Sequence, residues 1–496
     1  MQLLSHTSTW PVYKRDSIAL LEAQLRADKP ISLMQQAGLA TAKLALAMAP
    51  HAQRIWVAAG PGNNGGDGLE AAMHLHRWGK SVHVSLLVPA ANLPADAHAA
   101  WLRAQTAGVH ITSELPTDWL AEMGQQDLCI DALLGIGAKR PLRPVIQIWV
   151  RAINHCKASV LAIDSPTGLD PDSGQLLGGS KEASLCVRAD QTLTFIAAKP
   201  GLLMGHGRDA SGQLWLERLG QPHASTPPPP QALLNTLQAL PTKNHASHKG
   251  SHGDVAVIGG EAMTAHGLGM TGAAILAAKA ALHAGAGRVI LSLVSGNFSD
   301  SAPPDVMQRE WQSLELEKLH VVCGCGGGQG VQSLMPEVLR RSAQLVLDAD
   351  GLNAVAQDDR LQAGLRQRAS AQPSLITPHP LEAARLLKVS TTQVQNDRIG
   401  AAQELANRFD CTVVLKGSGT VITAPGQTPR INTTGNGRLA IGGTGDVLAG
   451  LIGARLAQGL STFEAACTAV AQHGQLADDW PPAYALTASR LAERLT

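Results

Sequence analysis

The segment RIWVAAGPGNNGGDGLEAAMHLHRWGKSVHVSLLV (54–88) decides the fold of the first half of the chain. RIWVAAG (54–60) and VHVSLLV (82–88) are short apolar runs rich in Val, Ile and Leu, the pattern of buried strands. Between them GPGNNGGDG (60–68) is a glycine-dense turn that runs into a helix beginning near Leu69. Strand, turn, helix and strand in that order make a unit whose two strands run parallel. Further runs occur at DLCIDAL (127–133), SVLAIDS (159–165) and QTLTFIA (191–197), with helix-like segments between, so a parallel, doubly wound sheet is expected. The rhythm resumes at GDVAVIGG (253–260), RVILSLV (288–294), LHVVCGCG (319–326), QLVLDADG (344–351), SLITPHP (374–380) and CTVVLKGSG (411–419). The fold class is therefore α/β, as two three-layer αβα domains.

The composition breaks at 221–248, where QPHASTPPPPQ leads into LPTKNHASH, a Pro- and His-rich stretch that favours extended backbone and supplies no core. The expected division is a first domain at 1–220, a linker at 221–248 and a second domain at 249–496. Two large domains suit a chain of 496 residues, since one core rarely organises more than about 250–300. A net charge of +1 gives no sustained basic field, which excludes nucleic acid as a partner. Seven scattered Cys without a Cys-x-x-Cys pair suggest neither a disulfide framework nor a zinc site, and a reducing cytoplasm is expected. The N-terminus meets a polar stretch and a Pro before any long apolar run, and no uncharged apolar stretch reaches ~20 residues, so neither a secretory signal nor a membrane span is expected.

In the first half, glycine-rich backbone after a strand lets N–H groups close on phosphate oxygens. Asn63, Asn64 and Asp67 add amides and a carboxylate where a dinucleotide fingerprint has small residues, groups suited to a sugar, an amide or a cation. Two more strands end in carboxylates, Asp131 in IDALLGIGAKRP and Asp164 in AIDSPTGLDPDSG. The carboxyl ends of an open parallel sheet form its ligand crevice, so these clusters and the Thr167 hydroxyl converge on one pocket. Such a pocket suits hard-cation coordination and acid/base work, although each Asp alone also reads as a helix cap.

LMQQAG (33–38), GPGNNGGDG, DALLGIG, IDSPTGLD and FIAAKPGL (195–202) together resemble the N-terminal epimerase module of the bifunctional NAD(P)H-hydrate repair enzymes, over roughly residues 10 to 220. The resemblance implies a Rossmann-like domain. It also implies that Asn63, Asn64, Gly65, Gly66 and Asp67, with Gly135, Ile136, Gly137, Ala138, Lys139, Arg140 and Pro141, contact hydrated NADH or NADPH. Asn64, Asp131 and Thr167 would hold a potassium ion, and Asp164 would act at the reacting centre, as the candidate carboxylate to protonate the leaving hydroxyl and return water to the other face. The family more often has Ser where Thr167 stands.

In the second half, NTTGNGRLAIGGTGDVLAGLIGA (432–454) sets Gly442, Gly443 and Gly445 before Asp446 at the start of an apolar helix. A carboxylate beside a glycine-lined helix N-terminus is a phosphoryl-transfer arrangement: the N–H groups stabilise the moving phosphoryl and the Asp takes a proton from the attacking hydroxyl. KGSGT (416–420) is suited to cradling nucleotide phosphates. DADGLN (348–353) supplies Asp348 and Asp350, one of which could orient hydrated magnesium or substrate. His379 in TPHPLE reads either as a ligand contact or as a side-chain cap, and Cys323 and Cys325 read mainly as small packing residues.

HGDVAVIGG, GAAILAAKAALHAGAGRV (272–289), DADGLN, TPHP, LKGSGT and GGTGDVLAG occur in the order of the ATP/ADP-dependent NAD(P)H-hydrate dehydratases, relatives of ribokinase-like kinases, and resemble them over about 245–495. By that resemblance Ala273, Gly326, His379 and Asp446 touch the hydrated cofactor. Lys416, Gly417, Ser418, Gly419, Thr420 and Gly445 bind the nucleotide, with Asp446 as catalytic base and Mg2+ with ADP or ATP, ADP favoured. Two departures stand out: GCGGG (324–328) where the family usually reads Gly-Pro-Gly-Leu-Gly, and a longer MTAHGLGMT stretch (263–271). Phosphorylation would turn the substrate hydroxyl into a better leaving group, and elimination would restore NADH or NADPH. The family also implies a homo-oligomer. The rival reading is a ribokinase-like small-molecule kinase with a non-catalytic N-terminal binding domain.

Overall fold

The computed structural model describes all residues except 27–31, 179–184, 221–226, 239–244, 264–268, 297, 369–370 and 496. It divides into two compact units, Met1–Ala232 and Leu233–Thr496. The division falls inside the stretch expected as a linker, of which 221–226 and 239–244 lie outside the described residues. The short run Ala232–Leu234 is a strand, which the sequence pattern does not anticipate. Pro227–Pro230 hold the preceding backbone extended and lead directly into it. Most of the longer 263–271 stretch, residues 264–268, also lies outside the described residues.

The strands of the first unit are β1 (Gln2–Leu3), β2 (Pro11–Val12), β3 (Arg54–Ala59), β4 (Ser81–Leu86), β5 (His110–Thr112), β6 (Leu128–Ala132), β7 (Ser159–Ile163), β8 (Gln191–Phe195) and β9 (Gln213–Glu217). Its sheet runs β1-β9-β8-β7-β6-β3-β4-β5. All pairs are parallel except β1 on β9. Both faces are buried, as parallel sheets require. Ile55 and Val57 point into a core with Leu69, Ala72 and Leu75, while Trp56 and Ala58 point the other way onto Trp149, Val150 and Ile153. Strand order reverses between β3 and β6, which opens a crevice at their carboxyl ends.

The helix expected near Leu69 begins instead at Asn63 and runs to Arg77. The glycines of 65–68 are thus helical, and packing is their reason. A Cβ at Gly65 would collide with the Gly60 carbonyl, one at Gly66 would lie 2.6 Å from Met34 Cε, and one at Gly68 would lie 2.5 Å from Ala132 Cβ. Close approach to β6 and to the helix Leu33–Met48 overrides the low helix propensity of glycine.

The second unit contains β10 (Ala232–Leu234), β11 (Asp254–Gly259), β12 (Arg288–Leu293), β13 (Met307–Gln308), β14 (His320–Cys323), β15 (Gln344–Leu347), β16 (Ser374–Ile376), β17 (Thr412–Leu415), β18 (Thr420–Thr423) and β19 (Arg430–Asn432). The order is β13-β12-β11-β14-β15-β16-β17-β18-β19-β10, parallel from β13 to β17 and then antiparallel through β18 and β19. The helix Thr444–Ala457 is buried along almost its whole length from Val447 onward. Gly450 meets the Ala277 carbonyl and Gly453 faces Val322 of β14, so absent side chains seat this helix deep and bring its first turn to the strand ends. Among the described residues no helix is long and apolar enough to cross a membrane.

Candidate active sites

A cavity of about 830 Å3 opens at the carboxyl ends of β3, β6, β7 and β8 in the first unit. Of the residues expected there, Asn63, Asn64, Asp67, Gly135, Ile136, Gly137, Ala138 and Asp164 line it. Gly65 and Gly66 are buried packing positions, and Lys139, Arg140 and Pro141 are exposed beyond the lining. The helix Arg15–Arg26 contributes Ile18, Glu22 and Arg26 to the wall.

Asp164 ends β7 with φ +65°, a left-handed conformation that costs a non-glycine residue energy and recurs at functional sites. The turn aims its carboxylate at Lys199, whose Nζ donates to Asp164 Oδ1 (2.6 Å), Thr194 Oγ1 (2.8 Å) and the Phe195 carbonyl (2.8 Å). Three acceptors use all three ammonium protons of this fully buried lysine. Lys199 was missed as a site residue, although it lies inside the FIAAKPGL motif. The Lys-Pro-Gly step was its signal: β8 ends there and the chain turns back to the cavity. Among the described residues Asp67 has no such cation. Burial first, then the charge of Asp164 and of Glu22, pushes its carboxyl well above the usual range.

Beneath the cavity wall Asp131 is completely buried. It accepts from Thr167 N and Thr167 Oγ1, both at 2.8 Å, and from Leu133 N at 3.2 Å. Burial raises its carboxyl to about 6 against the lowering effect of these bonds. Asn64 faces Gly135, where a Cβ would lie 3.2 Å from its Oδ1, and its buried Nδ2 finds no partner among the described residues.

In the second unit Asp348, at the end of β15, is buried and accepts from Lys416 Nζ (2.6 Å) and Thr377 Oγ1 (2.7 Å) at Oδ1. Asp446 lies in the first turn of Thr444–Ala457, whose N-cap, Gly443 at φ +91°, offers no side chain to the first N–H groups. Burial, then Asp348, lifts the Asp446 carboxyl to about 6. Gly445 faces the ion pair, since a Cβ there would lie 3.5 Å from Lys416 Nζ and 4.0 Å from Asp348 Oδ2. Ala273 and Gly326 adjoin each other, with 2.8 Å between Ala273 Cβ and the position of a Cβ on Gly326. The 416–420 stretch is the turn of the β17–β18 hairpin, underpinned by Arg398, which donates to the carbonyls of Leu415 (3.1 Å), Lys416 (3.3 Å) and Gly419 (3.4 Å).

His379 caps the helix Pro380–Leu387: its Nδ1 accepts from Leu381 N (3.1 Å) and Glu382 N (3.3 Å), and Glu382 returns a bond to His379 N (2.8 Å). An accepting Nδ1 leaves the proton on Nε2, and burial, then Lys416, lowers the imidazole's basicity. Both expected roles are compatible, because the ring is half exposed. Of two further neighbours, the sequence left Glu382 unassigned and offered Cys325 mainly as a small packing residue. Glu382 is pushed up to about 7 by burial, and Cys325 has Sγ 4.0 Å from Asp348 Oδ2. Cys323, by contrast, packs on Met335.

Two known families match separate stretches of the chain. A family described as YjeF-related protein N-terminus matches residues 30–201, and one described as NAD(P)H-hydrate dehydratase matches residues 255–496. The bifunctional NAD(P)H-hydrate repair enzyme Nnr of Escherichia coli is 35% identical over 464 residues, covering 90% of this chain and 84% of its own. That of Coxiella burnetii is 34% identical over 487 residues, covering 94% of each. A solved ADP/ATP-dependent NAD(P)H-hydrate dehydratase from Bacillus subtilis, co-crystallized with ATP/Mg2+, is 30% identical and covers 52% of this chain and 92% of its own, with a TM-score of 0.42.

Proposed function

Since the chain belongs to the bifunctional NAD(P)H-hydrate repair enzymes, we propose a division of labour between the carboxylates of its two units. The protein is an NAD(P)H-hydrate epimerase and dehydratase. The first unit interconverts the R and S hydrates, and the second returns the S hydrate to NAD(P)H.

The hydrate carries its hydroxyl on a carbon next to the ring nitrogen, whose lone pair can expel it once it is protonated. Asp67, whose carboxyl is pushed upward by burial and by the Asp164 charge so that it holds its proton more tightly, gives that proton. It takes the proton back when water adds to the opposite face. Asp164, anchored by Lys199, holds a negative charge against the cationic ring that exists between the two events. A potassium ion fits the donor set beneath. Asp131 is a buried carboxylate with no ion pair among the described residues, Asn64 has a buried amide without a partner, and turning that amide by 180° presents its oxygen. Asn64, Asp131 and Thr167 would hold the ion, which would offset the Asp131 charge.

In the second unit Asp446 takes the proton of the substrate hydroxyl as that oxygen attacks the terminal phosphoryl of the nucleotide, for which we favour ADP. The uncapped N–H groups after Gly443 and the Lys416 ammonium face the charge that develops. Magnesium would arrive on the nucleotide. Asp350, whose Oδ1 has only Asn353 Nδ2 at 3.5 Å among the described residues, is the carboxylate with capacity to spare for its waters. Ala273, Gly326 and His379 would line the nicotinamide side, and Gly417 to Thr420 the nucleotide side.

The observation that carries this reading is an uncapped helix N-terminus with Asp446 beside a lysine-anchored Asp348. Its test is a phosphate balance. One inorganic phosphate per NADH formed is expected, whereas a stable phosphorylated product would favour the small-molecule kinase.

A further inference from the structure

We propose that Cys325, Asp348 and Asp446 form a binding site for a thiophilic divalent cation, zinc or cadmium, whose occupancy silences the dehydratase. One ligand atom from each of the three residues lies within 4.8 Å of the others. They come from three separate elements: the turn after β14, the end of β15 and the first turn of Thr444–Ala457. Asp348 divides its oxygens, with Oδ1 committed to Lys416 and Thr377 and Oδ2 turned toward Cys325 Sγ. Cys325 and Asp348 are buried, while Asp446 is half-buried behind the exposed Gly442, so an ion reaches the cluster past the glycine loop.

The charges close on occupation. Binding displaces the thiol proton to solvent, and the thiolate and two carboxylates then carry three negative charges against a divalent ion and the Lys416 ammonium. Without the ion, the crowded acids hold the Cys325 thiol proton tightly through burial and through Asp446 and Asp348. A sulfur ligand selects zinc or cadmium over magnesium, which prefers oxygen and retains its waters. Cys325 stands in GCGGG, where the resembled family usually has Pro, so the site is a property of this chain. The inhibitory consequence, though not the binding, rests on Asp446 being the base, because a metal-bound carboxylate cannot accept the substrate proton.

Cadmium titration of the full-length protein without nucleotide reads binding directly through the ultraviolet thiolate-to-cadmium charge-transfer band. The band should saturate at one ion per chain and be lost in Cys325→Ala. Zinc should then abolish dehydratase turnover in the unsubstituted protein, spare Cys325→Ala relative to its own zinc-free rate, and leave epimerisation intact in the same sample. No band, a band of equal size in Cys325→Ala, or equal zinc sensitivity of both proteins would overturn the site. Zinc-free turnover of Asp446→Asn tests the base separately: retained activity there would remove the functional reading and leave the cadmium band to decide the site.

Discussion

Each unit sets a lysine against a carboxylate at the end of a parallel strand, 2.6 Å apart in both cases, yet the two pairs are built for different work. Lys199 is 1% exposed and spends its donors on three protein acceptors, so it can only hold Asp164 in place. Lys416 is 19% exposed and spends a donor on Asp348, which leaves others for an incoming phosphate. The glycines divide likewise. Those at 65–68 are consumed by packing, whereas Gly442 has open space around it and Gly443 leaves the helix N-terminus uncapped. In each unit a second carboxylate, Asp67 or Asp446, has no cation of its own among the described residues and has its pKa raised by burial and by the anchored one. A fixed charge beside a movable proton is thus the shared device, and accessibility of the lysine is what separates them.

Asp446→Asn separates the two units most strongly. Loss of a general base should lower dehydratase turnover by roughly 10²–10⁴-fold with epimerisation unchanged, read by NADH recovery and by exchange between epimers. Replacing the lysines tests the anchoring roles. Lys199→Met strands Asp164 and two further acceptors in the interior and should cost about 3–5 kcal/mol in urea unfolding. Lys416→Met should cost less, because Thr377 still serves Asp348, and should raise the KM for nucleotide.

The two sites should also respond oppositely to pH. With Asp446 as the proposed base and its carboxyl raised to about 6, dehydratase turnover should climb as pH rises through about 6. With Asp67 as the proposed acid, epimerisation should fall as pH rises through its raised titration range. Profiles that rise together would erase the distinction. A smaller effect is expected from Thr167→Val, which leaves Asp131 and Leu134 N each short of a bond, at about 1–3 kcal/mol. Thr167→Ser should be nearly neutral. Smallest is His379→Ala, at roughly 0.5–2 kcal/mol for a lost cap, which His379→Asn should largely restore.

Much of this was legible in the sequence because the strands of a parallel sheet end in glycine- and proline-rich loops that mark where each one stops. All eleven apolar runs became strands, and Asp131, Asp164, Asp348 and Asp446 stand at the ends or helix starts where their glycine-rich neighbours put them. The features that escaped notice were short or depended on three dimensions. β10, β18 and β19 have only three or four residues each, too few for a period to emerge. The helical start at Asn63 was hidden because glycine reads as a turn unless the neighbour that forbids a Cβ is known. Lys199 and Cys325 are single residues within longer motifs, and only the return of the chain shows that one anchors Asp164 and the other faces Asp348.

Two sites acting in series on one damaged cofactor should drain both of its epimers. Mixed-epimer NADH hydrate incubated with the protein, ADP and Mg2+ should be recovered completely as NADH, while Asp67→Asn should slow the final part of the recovery, the R fraction. Recovery that stops at the S fraction in the unsubstituted protein would reduce the first unit to a binding domain, and no recovery with either ADP or ATP would contradict the account.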